Sequence, residues 1–505
     1  MRFGNIIFAG MLAGATWAAA AGARRPNVLF IAVDDLKPML GCYGHSEIRS
    51  PNLDRLAARG MVFLNAYCQQ AVCGPTRASL LTGRRPDYTR VWDLKTKMRD
   101  IHPDILTLPQ HFKNHGYETV GLGKIFDPRC VDGRQWGDKP SWSRPYVHVP
   151  KNPDSEMGFL NPAFVERVRK IRREKRLTGD WGVIRKAIGG VPPVEHSEDV
   201  PDNAYEDGAL AEAAAGLVKE LAAGDRPFFL AVGFHKPHLP FIAPQKYWNL
   251  YADDALELAK FQQMPADAPG FAFQDSWELK NGSYAVPRGP GLLPRDLQRE
   301  LIHGYYACVS YVDAQIGKVL DALEAAGAAG ETIVVVWGDH GWHLGDHGMW
   351  CKHTNYEQAT RAPLIIARRA SGPGLGVAKW PVEFVDIFPT LCELAGVPRP
   401  RDLAGVSLVP VLDHPSARLK EVAVSQFPRH RKGGEVMGYA FRDERYRYVQ
   451  WVPRRAPHSG SVVAEELYDY AKDPWETRSL VNDPAYAAPL ALMRQRARRF
   501  HADSR

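Results

Sequence analysis

A chain of 505 residues with 45% hydrophobic and 24% charged side chains has ample material for a large folded core, which excludes a disordered, fibrous or small disulfide-stapled protein. Its 64 basic and 57 acidic residues leave a net charge of +7, modest for this length and without the clustered basic and aromatic footprint of a nucleic-acid binder. An anionic ligand and an ordinary solvated surface both accommodate that excess. The seven cysteines match neither a zinc-site spacing nor a compact disulfide framework, so few bridges or none are expected.

In chain order, Arg2, an apolar stretch over residues 6–20 and small residues through Ala23 predict a secretory signal peptide over residues 1–23. Export to the periplasm or beyond is expected, and stable membrane insertion is not, because the run is alanine-rich and short for a span. Residues 27–33 form a continuous apolar run of strand formers ending in Asp34-Asp35. A run apolar on both faces suits a central parallel strand, and ligands gather outside the carboxyl ends of such strands. Next comes Cys73-Gly74-Pro75-Thr76-Arg77, running on to Leu81-Thr82-Gly83. It places a cysteine just ahead of a proline-opened helix, whose first turn favours an anion, with Arg77 adding a fork of donors. A strand-like Tyr117 to Val120 leads into Gly121-Leu122-Gly123-Lys124, and a strand over 227–233 leads into Phe234-His235-Lys236-Pro237-His238. The apolar run 332–337 repeats the first pattern and ends in Gly338-Asp339-His340-Gly341, with Lys352 shortly beyond. Alone, each acidic pair reads as a turn or helix cap. Together, Asp34, Asp35 and Asp339 with His340 form an oxygen-rich set that favours a hard cation, calcium or alternatively magnesium, over zinc.

The segment from Cys73 to Gly83 resembles the signature of the type I sulfatases, Cys-x-Pro-x-Arg followed by Leu-Thr-Gly, and nearly the whole mature chain resembles that family, most closely its iduronate-2-sulfatase branch. The resemblance implies that a formylglycine-generating maturation enzyme oxidises Cys73 to formylglycine, whose hydrated aldehyde attacks the sulfur of a sulfate ester. It makes Asp34, Asp35, Asp339 and His340 metal ligands, with residue 73 completing the shell around calcium. Arg77, Lys124 and Lys352 would stabilise the sulfuryl oxygens and His238 would protonate the leaving alcohol. One departure stands out: the branch carries histidine three residues after the pocket lysine, where this chain has Asp127. The implied substrate is a sulfated saccharide. The stretch from Arg84 to Asp93 tips the reading towards a 2-O-sulfated uronate of glycosaminoglycans over algal sugars. A phosphonate or phosphodiester hydrolase on the same scaffold and an inactive glycan-binding homologue are the alternatives.

Helical stretches over 206–221 and 294–326 alternate with the apolar strands, which is α/β order. The resemblance implies the alkaline-phosphatase-like fold, a large mixed sheet flanked by helices plus a smaller C-terminal domain with an antiparallel sheet. Residues 384–396 resemble the helix closing the large domain, and composition shifts near Ala417 to short strand-like runs at 421–425, 438–441 and 446–452. The expected division is therefore a catalytic domain over 24–416 and a C-terminal subdomain over 417–505. The long polar intervals 127–154 and 261–291 have no period, and loops of this kind in a compact enzyme often border the substrate.

Overall fold

The computed structural model describes residues 25–132, 137–178, 181–370, 372, 374–455 and 459–503. The expected signal peptide lies outside the described residues. Seven strands build the main sheet: β1 (Asn27–Val33), β2 (Met61–Phe63), β3 (Glu118–Gly123), β4 (Phe228–Phe234), β5 (Thr332–Gly338), β6 (Leu364–Ala367) and β7 (Gly376–Ala378), in the order β7-β2-β6-β5-β1-β4-β3. The central strand β1 pairs in parallel with β4 and β5, while β6 runs antiparallel to both its neighbours and makes the sheet mixed.

Every residue of β1, β4 and β5 is buried, as continuous apolar runs require when both faces of a sheet are covered. Alternation along β1 divides the core in two. Leu29, Ile31 and Val33 pack with helices α2 (Glu206–Ala222) and α3 (Arg295–Ala325). Val28, Phe30 and Ala32 pack on the other face with α1 (Cys73–Thr82) and α4 (Ile387–Leu394).

Beyond α4, strands β8 (Ala423–Arg431), β9 (Gly434–Arg442), β10 (Tyr446–Pro453) and β11 (Ala464–Asp469) form an antiparallel sheet in sequence order. One face buries Met437, Tyr439, Phe441 and Tyr448 under Leu490, Met493 and Ala497 of α5 (Ala487–Asp503). The other presents Val436, Ala440, Val449 and Trp451 to Met349 and Tyr356 of the large unit. The first two of these strands run further than hydropathy predicts, because Arg429-His430-Arg431 and Gly434-Glu435 are polar yet paired across a two-residue loop, Lys432-Gly433. Gly433, at φ 102°, supplies the positive φ that such a tight hairpin demands.

Candidate active site

Because β1 and β5 are parallel neighbours with Val33 opposite Gly338, the acids that follow them meet at one edge of the sheet. Asp35 turns the chain with φ 61°, and its N–H donates to Asp339 Oδ1 at 2.9 Å. Cys73 is the first residue of α1, so Pro75 falls within the first turn rather than opening it. Thr76 Oγ1 ties that turn to the Asp339 carbonyl at 2.9 Å. The result sets Cys73 Sγ 3.4 Å from His340 Nε2 and 3.9 Å from Asp35 Oδ1, with the thiol wholly buried. Burial pushes that thiol well above its ordinary pKa, and Asp34 adds to the effect.

Asp35, Cys73, Asp339 and His340 offer one atom each within 4.8 Å of one another, as do Asp34, Asp35, Cys73 and His238. Three buried carboxylates converging with one imidazole nitrogen suit a hard divalent cation. His340 Nδ1 donates to the Gly341 carbonyl at 3.0 Å, which turns Nε2 into the cluster. Tyr305 supports the loop from beneath, its hydroxyl donating to the Asp35 carbonyl at 2.9 Å and accepting from the Lys37 N–H at 2.7 Å.

The cations interleave with these acids. Lys124, at the end of β3, places Nζ 2.5 Å from Asp34 Oδ2, and Lys352 donates to both oxygens of Asp35 at 2.9 and 3.0 Å. Although burial opposes it, Lys124 and Arg77 hold the Asp34 carboxyl well below the usual range. Arg77 behaves differently from the expectation that it forks onto an anion. Its Nε donates to Asp339 Oδ2 at 3.0 Å, Nη2 to Asp34 Oδ1 at 2.9 Å, and Nη1 to the carbonyls of Lys124 and Ile125. Fully buried, with all three nitrogens bonded to the protein, it clamps the acids at the ends of β1 and β5 to each other.

His235 and His238 part ways: His235 Nδ1 lies 3.6 Å from Asp207, whereas His238 Nε2 faces the cluster, 3.7 Å from Asp35 Oδ2. Its closer partner is Glu278 Oε1 at 3.3 Å, and the same oxygen lies 3.1 Å from Lys352 Nζ. Nothing in the sequence singles out Glu278. It rides on a single helical turn, Trp277–Lys280, inside the aperiodic interval 261–291, and only the loop's length hinted at a place beside the site. Lys352 and His238 hold the Glu278 carboxyl well below its ordinary pKa against the opposing effect of burial. Asp127 is buried and held by Arg129, which donates from Nε at 2.8 Å and from Nη2 at 2.7 Å. Its charge is therefore neutralised locally. The segment after α1 is taken up by ion pairs, Arg85 with Glu383 at 2.8 Å and Arg84 with Asp402 at 3.1 Å.

Comparisons with known proteins point the same way. A sequence model of the sulfatase family matches residues 26–397, and one for the N-sulphoglucosamine sulphohydrolase C-terminal region matches residues 345–503. The chain is 34% identical to iduronate 2-sulfatase of Mus musculus, covering 93% of each, and 35% identical to that of Homo sapiens, covering 90% of this chain and 91% of the relative. A solved structure of a 2-O GAG sulfatase shares the fold with a TM-score of 0.67 at 24% identity, over 95% of this chain and 93% of that one. A buried cysteine at the head of its helix, enclosed by the acids of two adjacent parallel strands, sits within a match that spans most of the sequence, and the chain belongs to the sulfatase family of sulfuric ester hydrolases.

Proposed function

We propose that this protein is an exported enzyme that removes the 2-O-sulfate from uronate residues of glycosaminoglycan-type saccharides, using a formylglycine formed from Cys73. The observation that carries the chemistry is the enclosure of Cys73 by Asp35 and His340, with two lysine ammonium groups on the flanking acids. The substrate rests on likeness to iduronate 2-sulfatases over at least 90% of the chain. The division into a catalytic unit through residue 416 and a C-terminal unit from 417 belongs to the same proposal.

Asp34, Asp35, Asp339 and His340 would hold the cation, calcium or magnesium, which when bound supplies positive charge to the sulfuryl oxygens. The aldehyde hydrate at position 73 would supply the attacking hydroxyl, and its second hydroxyl would lose its proton as the carbon–oxygen bond to the transferred sulfate breaks, which restores the aldehyde and frees sulfate. Lys124 and Lys352 are placed to follow charge as it develops on the sulfuryl oxygens, each already on a carboxylate of the cluster. Arg77 acts through the acids it clamps and is a positioning residue. His238 donates Nδ1–H to the Leu239 carbonyl at 2.6 Å, which leaves Nε2 to carry the proton given to the leaving alcohol oxygen as its bond to sulfur breaks.

Two measurements follow. On disaccharides of defined sulfation, sulfate should be released from the 2-O-sulfated uronate and not from 6-O- or N-sulfated glucosamine. Release confined to sulfated algal sugars would overturn the substrate assignment. Glu278→Gln keeps the side chain's shape but removes the charge that orients His238 and Lys352. If His238 is the general acid, kcat on the saccharide should fall about 10²-fold, while an aryl sulfate with a good leaving group should lose far less. An equal loss on both substrates would mean that Glu278 serves the fold or the lysine instead.

A further inference from the structure

The β8–β9 hairpin carries four consecutive basic residues, Arg429-His430-Arg431-Lys432, and its root is fastened to the candidate active site. Arg429 donates to the Ala272 carbonyl from Nε at 3.3 Å and from Nη2 at 3.2 Å, and to the carbonyl of His353, the neighbour of Lys352. Its guanidinium lies 4.8 Å over the Phe427 ring, and that ring is 5.9 Å from the His353 ring. Gln274, two residues along from Ala272, donates to the carbonyls of Trp350 at 2.7 Å and Lys352 at 3.0 Å. Hairpin root, the backbone at 272–274 and the segment bearing Lys352 are thus one hydrogen-bonded unit.

Strand alternation puts Arg431 on the same face as Arg429, about 7 Å further along, and His430 on the opposite face. Charge at the tip is unevenly satisfied. His430 and Arg454 share Glu435, at 3.3 and 2.8 Å, but among the described residues Arg431 and Lys432 have no carboxylate partner, and both are exposed. A solvated charge run alone would carry little meaning. Here two cations with no carboxylate partner among the described residues follow two and three residues after Arg429, whose guanidinium is bonded to the segment bearing Lys352, and that arrangement suits a ligand bearing anionic groups at intervals.

We propose that Arg431 and Lys432 form a secondary subsite for the sulfate or carboxylate groups of sugars neighbouring the one being desulfated, so that the protein favours chains longer than a disaccharide. This rests on the sulfated-saccharide reading above. The test compares the wild type with the double variant Arg431→Ser, Lys432→Ser on a 2-O-sulfated disaccharide and on a heparin-derived hexasaccharide, at low and high salt. Expected is a rise in KM of about tenfold for the hexasaccharide with kcat retained, no change for the disaccharide, and convergence of the two proteins at high salt. Equal behaviour of the two substrates, whether both lose or neither does, would overturn the subsite. Should the wild type release sulfate from neither saccharide, the substrate assignment fails by itself. The subsite is then decided by direct binding of the hexasaccharide to both proteins carrying Cys73→Ala: binding about tenfold weaker in the variant upholds it, and equal binding overturns it.

Discussion

Cys73→Ala should lower turnover of sulfate esters by about 10⁴-fold or more, while the folded state loses only about 1 kcal/mol. The asymmetry follows from the surroundings of residue 73. Its side chain is small, and the polar contacts its Sγ makes, to Asp35 and His340, are long, so removing the sulfur costs little. The chemistry has no substitute, because alanine cannot be oxidised to an aldehyde and the other groups lining the cluster are acids, cations and imidazoles already bonded to one another. Comparing kcat and the denaturation midpoint of the two proteins separates these effects. Retention of even a few per cent of turnover would place the nucleophile elsewhere.

Arg77→Gln should instead strike stability and activity together. Arg77 bonds Asp339 at 3.0 Å and Asp34 at 2.9 Å, is wholly buried, and has its guanidinium carbon 5.5 Å from the centre of the Trp337 ring. Burial works against its charge, but the two carboxylates outweigh that and keep it protonated. A neutral amide leaves both acids without their shared counter-ion, and breaking a buried pair from one side costs about 3–5 kcal/mol. A denaturant titration should show the midpoint falling with an unchanged slope. The acids at the ends of β1 and β5 would also lose their common brace, so kcat should drop by about 10²-fold or more. A midpoint equal to that of the wild type would contradict the clamp.

Much of the site was readable because its parts sit where periodicity changes. The runs ending in Asp34-Asp35 and Asp339-His340 are continuous apolar segments, as a strand covered on both faces requires, and their parallel pairing brings those ends together. What escaped were contacts that depend on loop geometry. Glu278 reaches His238 and Lys352 from a single helical turn, too short to leave a pattern. Arg77 could be foreseen near the site, but whether its donors meet an anion or the protein's own acids depends on distances between elements far apart in sequence. Asp127, the departure from the branch's histidine, is paired with Arg129 two residues on, a contact that the sequence does not mark. Likewise β8 was cut short by its charged end, since polar residues in an exposed hairpin carry a strand's backbone pairing without its hydropathy.

The central claim is that residue 73 acts as an aldehyde hydrate, and the mass of the tryptic peptide containing it tests this most directly. Protein co-produced with a formylglycine-generating enzyme should yield that peptide at the lower mass left by exchange of the thiol for an aldehyde, and sulfate release should scale with the converted fraction. Steady multiple-turnover hydrolysis by protein whose peptide carries only the plain thiol would contradict the account.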